Sequence, residues 1–238
     1  MQPHQKIKVL VIDDSKVSRI ILTGIFENVD DFELVGTATD GETGLEAVRA
    51  LNPDVITLDL AMPNVDGFEF LDRLKEEFQT PVIVVSSQSR AAAVMEALER
   101  GATDFIAKIG AFHEGEPSVF FRESVLEKCR VAVGIWGNRS SFEEVGRQLP
   151  TDGVEDDLDG DTVTKVVCIG ASTGGPGALR ELFIDQRLQS DTVVLVAQHM
   201  PGGFTSALAE RLSACSMFEV REAVAGERIA GGKVYIAP

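Results

Sequence analysis

The sequence predicts an α/β protein made of two doubly wound parallel-sheet domains in succession. Three observations carry this. From residue 6 to about residue 133, short and continuously apolar runs alternate with amphipathic ones, as expected of strands covered by helices on both faces. A stretch dense in carboxylates and poor in large apolar residues follows. The alternation then restarts at Thr164. With 238 residues, each unit has enough chain to bury a core of its own.

In chain order, Lys6–Asp14 (KIKVLVIDD) reads as a buried strand ending in acids. Ser15 is placed to cap a helix carrying Val17, Ile20, Ile21, Leu22 and Phe26. Phe32–Ala38 is a strand, Glu42–Leu51 a helix, and Asp54–Leu60 (DVITLDL) a strand. Val65–Phe78 is a helix, Pro81–Ser87 (PVIVVSS) a strand, and Arg90–Arg100 a helix stopped by Gly101. Asp104–Ile109 is the fifth strand. A helix from about Pro117 to Val133 closes the first unit, with Val119, Phe120, Val125, Leu126, Cys129 and Val133 at helical spacing. The predicted divisions are 1–135 for the first domain, 136–162 for an acidic linker containing PTDGVEDDLDGD, and 163–238 for the second domain. In that second part, Thr164–Ala171 and Thr192–Gln198 are strands, and Ala178–Leu188 and Phe204–Cys215 are helices. Phe218–Val224 and Lys233–Ala237 are short strands joined around Gly226, Gly231 and Gly232.

Composition narrows the function. The formal net charge is −16, which disfavours nucleic acid and anionic lipid as partners. No apolar run approaches the ~20 residues a membrane-spanning helix needs, and Met1–Lys8 has no secretory apolar stretch. A cytoplasmic protein without membrane insertion is expected. Cys129, Cys168 and Cys215 are widely spaced and show no metal-ligand or disulfide pattern. They read as buried free thiols in a reducing compartment.

The chemistry is expected where α/β sheets place ligands, beyond the C-terminal strand ends. Asp13 and Asp14 end the first strand and Asp59 ends the third. Three converging carboxylates repel one another unless a cation is present, and oxygen-only ligands suit a hard ion such as Mg²⁺. Ser86 closes the fourth strand with a hydroxyl, and Lys108 closes the fifth with a cation suited to phosphoryl oxygens. With this set in place, residues 6 to about 133 resemble the response-regulator receiver family, whose fold is flavodoxin-like. The resemblance implies that Asp59 is phosphorylated by a histidine kinase. It implies that Asp13, Asp14, Asp59 and the backbone carbonyl of Ala61 hold Mg²⁺. It further implies that Ser86 swings toward the phosphoryl group while Phe105 changes rotamer with it. The family usually has proline after the strand-five lysine, where this chain has Ile109.

In the second unit, Gly170–Gly174 fits G-x-S-x-G within GASTGGPG, placing Ser172 on a strand-to-helix turn. A turn of this kind exposes a nucleophile or cradles a phosphate, and the motif alone does not choose between them. His199 ends the next strand, where a general base for Ser172 would sit. His4 and His113 have no comparable setting and read as surface residues. The segments IGASTGGPGALREL, AQHMPGGFTSALAERL and GGKVYIAP resemble the start of the catalytic domain of the CheB family of chemotaxis protein-glutamate methylesterases.

This second resemblance implies that Ser172 is the nucleophile and His199 the base, with no cofactor in the esterase site. Methylated glutamates on chemoreceptor cytoplasmic helices would be the substrate, and certain glutamines would be deamidated. An unphosphorylated receiver would cover the site, and phosphorylation of Asp59 would expose it. The family's orienting Asp lies later than the GGKVYIAP segment, so a methylesterase domain truncated at Pro238 is expected. Glu219, Glu222 and Glu227, among the acids after His199, read as surface charges. Two other readings remain: a phospho-regulated adaptor with an inactive output domain, and a nucleotide-binding output at GASTGGPG.

Overall fold

The computed structural model describes residues 6–27, 29–87, 90–108, 112–113, 116–137 and 163–238. His4, Ile109 and the predicted linker from 138 to 162 lie outside the described residues, as does the side chain of His113. The chain divides into two compact units, Met1–Glu143 and Glu144–Pro238.

The first unit runs β1 (Ile7–Ile12), α1 (Lys16–Glu27), β2 (Phe32–Ala38), α2 (Gly41–Leu51), β3 (Val55–Leu58), α3 (Gly67–Glu77), β4 (Val82–Ser86), α4 (Ala91–Glu99) and β5 (Asp104–Ala107). A short antiparallel pair, β6 (Phe112–His113) and β7 (Glu116–Pro117), and then α5 (Val119–Gly137) complete it. The five-stranded sheet has the order β2-β1-β3-β4-β5 with every pair parallel. That is the flavodoxin-like order, with its switch point between β1 and β3.

Strands β3 and β4 are buried along their whole length, Thr57 and Ser86 included. Alternate residues serve opposite faces. Val9, Val11, Val55, Ile83 and Val85 form one core with Leu22, Ile25 and Phe26 of α1 and Phe121, Val125 and Cys129 of α5. Leu45 and Val48 of α2 and Phe70, Leu71 and Leu74 of α3 supply the buried stripes of the other two helices. Helices α1, α2 and α3 start where side chains cap them. Asp40 accepts from Thr43 N–H and Asp66 from Glu69 N–H, both at 2.9 Å, and Ser15 Oγ accepts from Ser18 N–H at 3.3 Å.

Two features of this unit go beyond the sequence reading. Val17 and Ile20 are 62% and 60% exposed. The buried stripe of α1 runs through Ser18, Ile21, Leu22, Ile25 and Phe26, and at 100° per residue the other two fall on its outer flank. The β6/β7 pair went unforeseen, since strands of two residues leave no periodic pattern to read.

The second unit runs β8 (Lys165–Ala171), α6 (Gly175–Phe183), β9 (Thr192–Gln198), α7 (Thr205–Cys215), β10 (Glu219–Glu222) and β11 (Lys233–Ile236). Its sheet has the order β10-β11-β9-β8, again wholly parallel. Helix α6 begins and ends earlier than the predicted Ala178–Leu188. Pro176, at its first turn, favours the early start. At the other end, Ile184 leaves helical geometry to bridge Ser216, and Asp185 takes a positive φ of 58°. Strand β8 is outermost and alternates half-buried with exposed residues. Val166 and Cys168 are therefore exposed, Cys215 is half-buried, and only Cys129 of the three thiols fits the buried reading. Among the described residues, no helix is long and apolar enough to cross a membrane.

Candidate functional sites

The parallel order brings the ends of β1, β3 and β5 to one rim of the first sheet. Asp13 and Asp14 follow β1, Asp59 follows β3 and Lys108 follows β5. One carboxylate oxygen from each of the three acids lies within 4.8 Å of the others. Lys108 Nζ donates to Asp13 Oδ2 at 2.7 Å and to Asp59 Oδ2 at 3.1 Å. Asp13 and Asp59 are buried and Asp14 is exposed, so the pocket opens on one side. Burial, and the neighbouring Asp59 charge, push the Asp13 carboxyl above the ordinary range, while Lys108 opposes this. Three carboxylates against one ammonium leave a formal excess of two negative charges. With oxygen donors only, the site fits a hard divalent cation.

The backbone around these acids is held tightly. Asp59 N–H donates to Ile12 carbonyl at 2.9 Å, Leu60 N–H to Asp59 Oδ1 at 2.8 Å and Ser15 N–H to Asp13 Oδ1 at 2.9 Å. Gly67 opens α3 against this loop, where an added Cβ would lie 2.5 Å from Asp59 O and 2.7 Å from Leu60 Cα. Arg19 Nη1 donates to the carbonyls of Asp13 and Asp14 at 2.6 and 2.8 Å. Arg19 and Gly67 escaped the sequence reading because they act on backbone, and no spacing rule marks such a contact in advance.

Ser86 is fully buried at the end of β4, and its carbonyl accepts from Lys108 N–H at 2.9 Å. Phe105 is buried on β5, paired with Val84. Ala61 lies two residues beyond Asp59 in the exposed part of the β3–α3 loop.

In the second unit, Ser172 follows β8 and His199 follows β9, and both are exposed. The two strands pair through Ala171 and Gln198. His199 N–H then donates to Ala171 carbonyl at 2.8 Å, extending the ladder by one bond. Ser172 Oγ lies 3.3 Å from His199 Nδ1. A base acting through Nδ1 carries its own proton on Nε2. The pair lines a cleft of about 500 Å³ at the ends of β8, β9 and β11, with Gln198 and Ala237 beside it.

Glu219, Glu222 and Glu227 are engaged elsewhere. Glu219 is exposed and pairs with Lys233 at 2.7 Å. Glu227 pairs with Arg221 at 2.6 Å, and Glu222 accepts from Thr205 Oγ1. Glu222 and Glu227 are half-buried rather than fully solvated, which amends the surface-charge reading for these two.

Comparison with known proteins agrees with this division of the chain. Residues 9–115 match the family described as response regulator receiver domain, and residues 167–238 match CheB methylesterase. Receiver domains typically bind Mg²⁺. A protein-glutamate methylesterase/protein-glutamine glutaminase of Anaeromyxobacter dehalogenans is 42% identical over 235 residues, covering 99% of this chain and 63% of that protein. One from Geobacter sulfurreducens is 38% identical over 261 residues, covering 98% of this chain and 68% of the relative. Among solved structures, the response regulator domain of Thermotoga maritima CheB is 41% identical, with a TM-score of 0.48, over 55% of this chain and 98% of that one. The chain thus spans about two thirds of the length of the curated relatives it matches. Alignments near 40% identity cover both the acid-pocket unit and the Ser/His unit, and the chain belongs to the CheB family of receiver-linked protein-glutamate methylesterases/protein-glutamine glutaminases.

Proposed function

We propose that the protein is a phosphorylation-controlled chemotaxis esterase with its input at Asp59 and its output at Ser172. The working divisions are 1–135 for the receiver, 136–162 for the linker and 163–238 for the methylesterase portion, in a cytoplasmic protein. The observation that carries the output is the 3.3 Å approach of Ser172 Oγ to His199 Nδ1 at adjacent strand ends.

At the input, an Asp59 carboxylate oxygen attacks the phosphoryl group carried by a histidine kinase. Asp13, Asp14, Asp59 and the Ala61 carbonyl would hold Mg²⁺, which supplies charge neutralisation for the incoming phosphoryl oxygens. Lys108 stands between Asp13 and Asp59 and gives those oxygens a second cation. Ser86 and Phe105, on the neighbouring strands, are the residues through which the modified state is passed on.

At the output, Ser172 Oγ attacks the carbonyl carbon of a glutamyl methyl ester on a chemoreceptor helix. Its proton passes to His199 Nδ1 and leaves with the methoxide as methanol. Water, deprotonated by His199, then cleaves the glutamyl-serine ester and regenerates Ser172. With a glutamine side chain, ammonia leaves instead. The Gly175 N–H is engaged by the Ser172 carbonyl at 2.8 Å. The oxyanion therefore looks to the Thr173 and Gly174 N–H groups at the same turn.

The test is methanol release from methylated receptors by this chain, with and without a small-molecule phosphodonor. The expected result is release that depends on Ser172 and rises with the donor. Donor-independent release would sink the switch. Phosphorylation at Asp59 with no release would favour the adaptor reading.

A further inference from the structure

Gln198 is the last residue of β9 and is buried beside two exposed neighbours in the cleft, Ala197 and His199. Its Nε2 donates to the Ser172 carbonyl at 2.9 Å and to the His199 carbonyl at 3.2 Å. A side-chain amide nitrogen has two protons, so both are used, one on each member of the Ser/His pair. Turning the amide over would aim its oxygen at two carbonyl oxygens, so these acceptors fix its orientation. The Ser172 carbonyl also receives the Gly175 N–H at 2.8 Å, which ties the same atom to the first turn of α6.

This arrangement has a cost and a condition. Gln198 Oε1 is buried with no hydrogen-bond partner among the described residues, and an unpaired buried acceptor is unfavourable. A glutamine serving only as packing would sit more favourably as an apolar residue of the same length. The condition is space. A Cβ on Gly175 would overlap Gln198 Oε1 and lie 2.8 Å from its Cδ, so any larger residue there expels the amide.

We propose that Gln198 is the positioning residue of the Ser172–His199 pair, a single amide clamping both backbone carbonyls and so setting the Oγ-to-Nδ1 approach, with Gly175 as the gap that admits it. This rests on the Ser172/His199 reading above. Gln198 touches neither reacting atom and acts through the backbone of the residues that carry them.

The experiment measures the rate constant for fluorophosphonate labelling of Ser172 in the 238-residue chain as a function of pH, with the folded fraction followed by circular dichroism. Gln198→Met keeps length and packing but removes both N–H donors. It is expected to slow labelling about tenfold near neutral pH, since small displacements of reacting groups cost rate steeply. The deficit should close at high pH, where hydroxide replaces imidazole as base. A purely structural role would change the labelled fraction and leave the pH profile unmoved. Gly175→Ala should cause a similar loss alone and less than about a twofold further loss when combined with Gln198→Ala, because the two act on one contact. That cycle keeps the proposal testable if Gln198→Met does not fold. A wild-type rate indifferent to His199→Ala would overturn the Ser172/His199 reading and with it any positioning role. A His199-dependent rate unchanged by Gln198→Met, or strictly additive losses in the Gly175 cycle, would overturn the positioning role alone.

Discussion

Lys108 Nζ lies 2.7 Å from Oδ2 of Asp13, with the lysine side chain 8% exposed and the aspartate 0%. The Asp13 carboxyl is nevertheless held above its ordinary range, because burial outweighs the lysine. The charged aspartate is thus a burden on the fold, accepted where a cation is to bind. For a carboxyl raised in the folded state, stability falls as pH rises from the unfolded value of 3.8 through the folded one, and the deficit is complete above it. Asp13→Asn, with Asp59 left to pair Lys108, should therefore stabilise the first unit at neutral pH and lose that advantage in acid below the unfolded value. Urea unfolding followed by far-UV circular dichroism measures the difference. Destabilisation by this variant at pH 7 would show that the Lys108 pairing outweighs the burial of Asp13.

Added Mg²⁺ should raise the urea midpoint of the wild-type chain, by mass action on the folded state. It should do little for Asp13→Asn or Asp59→Asn, which each remove a charged ligand from the cluster. Equal Mg²⁺ stabilisation in all three proteins would place the ion elsewhere.

Gly67→Ala tests the packing behind Asp59. A methyl group there meets the backbone of the Asp59–Leu60 turn at Asp59 O and Leu60 Cα, at 2.5 and 2.7 Å, so the loop must move. A loss of about 2 kcal/mol is expected, together with slower phosphorylation by a small-molecule donor. Retention of both the stability and the phosphorylation rate would show that the loop has slack.

Replacing His199 by alanine should slow the labelling of Ser172 by a fluorophosphonate about a thousandfold at neutral pH, the scale of a lost general base. A loss of less than about threefold would mean that the 3.3 Å contact has no chemical role.

The three thiols should separate cleanly with a thiol reagent. Cys168 is exposed on β8 and should react first, and half-buried Cys215 more slowly. Cys129 is buried, with its thiol pushed up to about 12 by desolvation, and should react only on unfolding. Prompt reaction of all three in the native protein would show that the α5 core opens readily.

These sites were legible in the sequence to different depths. Asp13, Asp59 and Lys108 were found because each ends an apolar run, and parallel sheets gather such ends at one rim. Ser172 and His199 followed from the same rule applied to the second unit. Gln198 was invisible to it: a polar residue closing a strand looks like any other, and its two bonds go to backbone carbonyls that sequence does not distinguish. The outward turn of Val17 and Ile20 was missed because apolar residues on α1 outnumber the places its buried stripe can hold. The early end of α6 turned on Ile184 bridging Ser216, a tertiary contact that overrode helical spacing.

The acid pocket joins residues 13, 59 and 108, which come together only through the pairing of β1 with β3, β3 with β4 and β4 with β5. Each pairing closes a crossover whose entropy must be spent before any carboxylate meets its partner. A nascent or half-folded chain therefore has the three residues but no phosphate acceptor site. Under the proposed function, competence to receive a phosphoryl group at Asp59 arrives only with completed folding of the first unit.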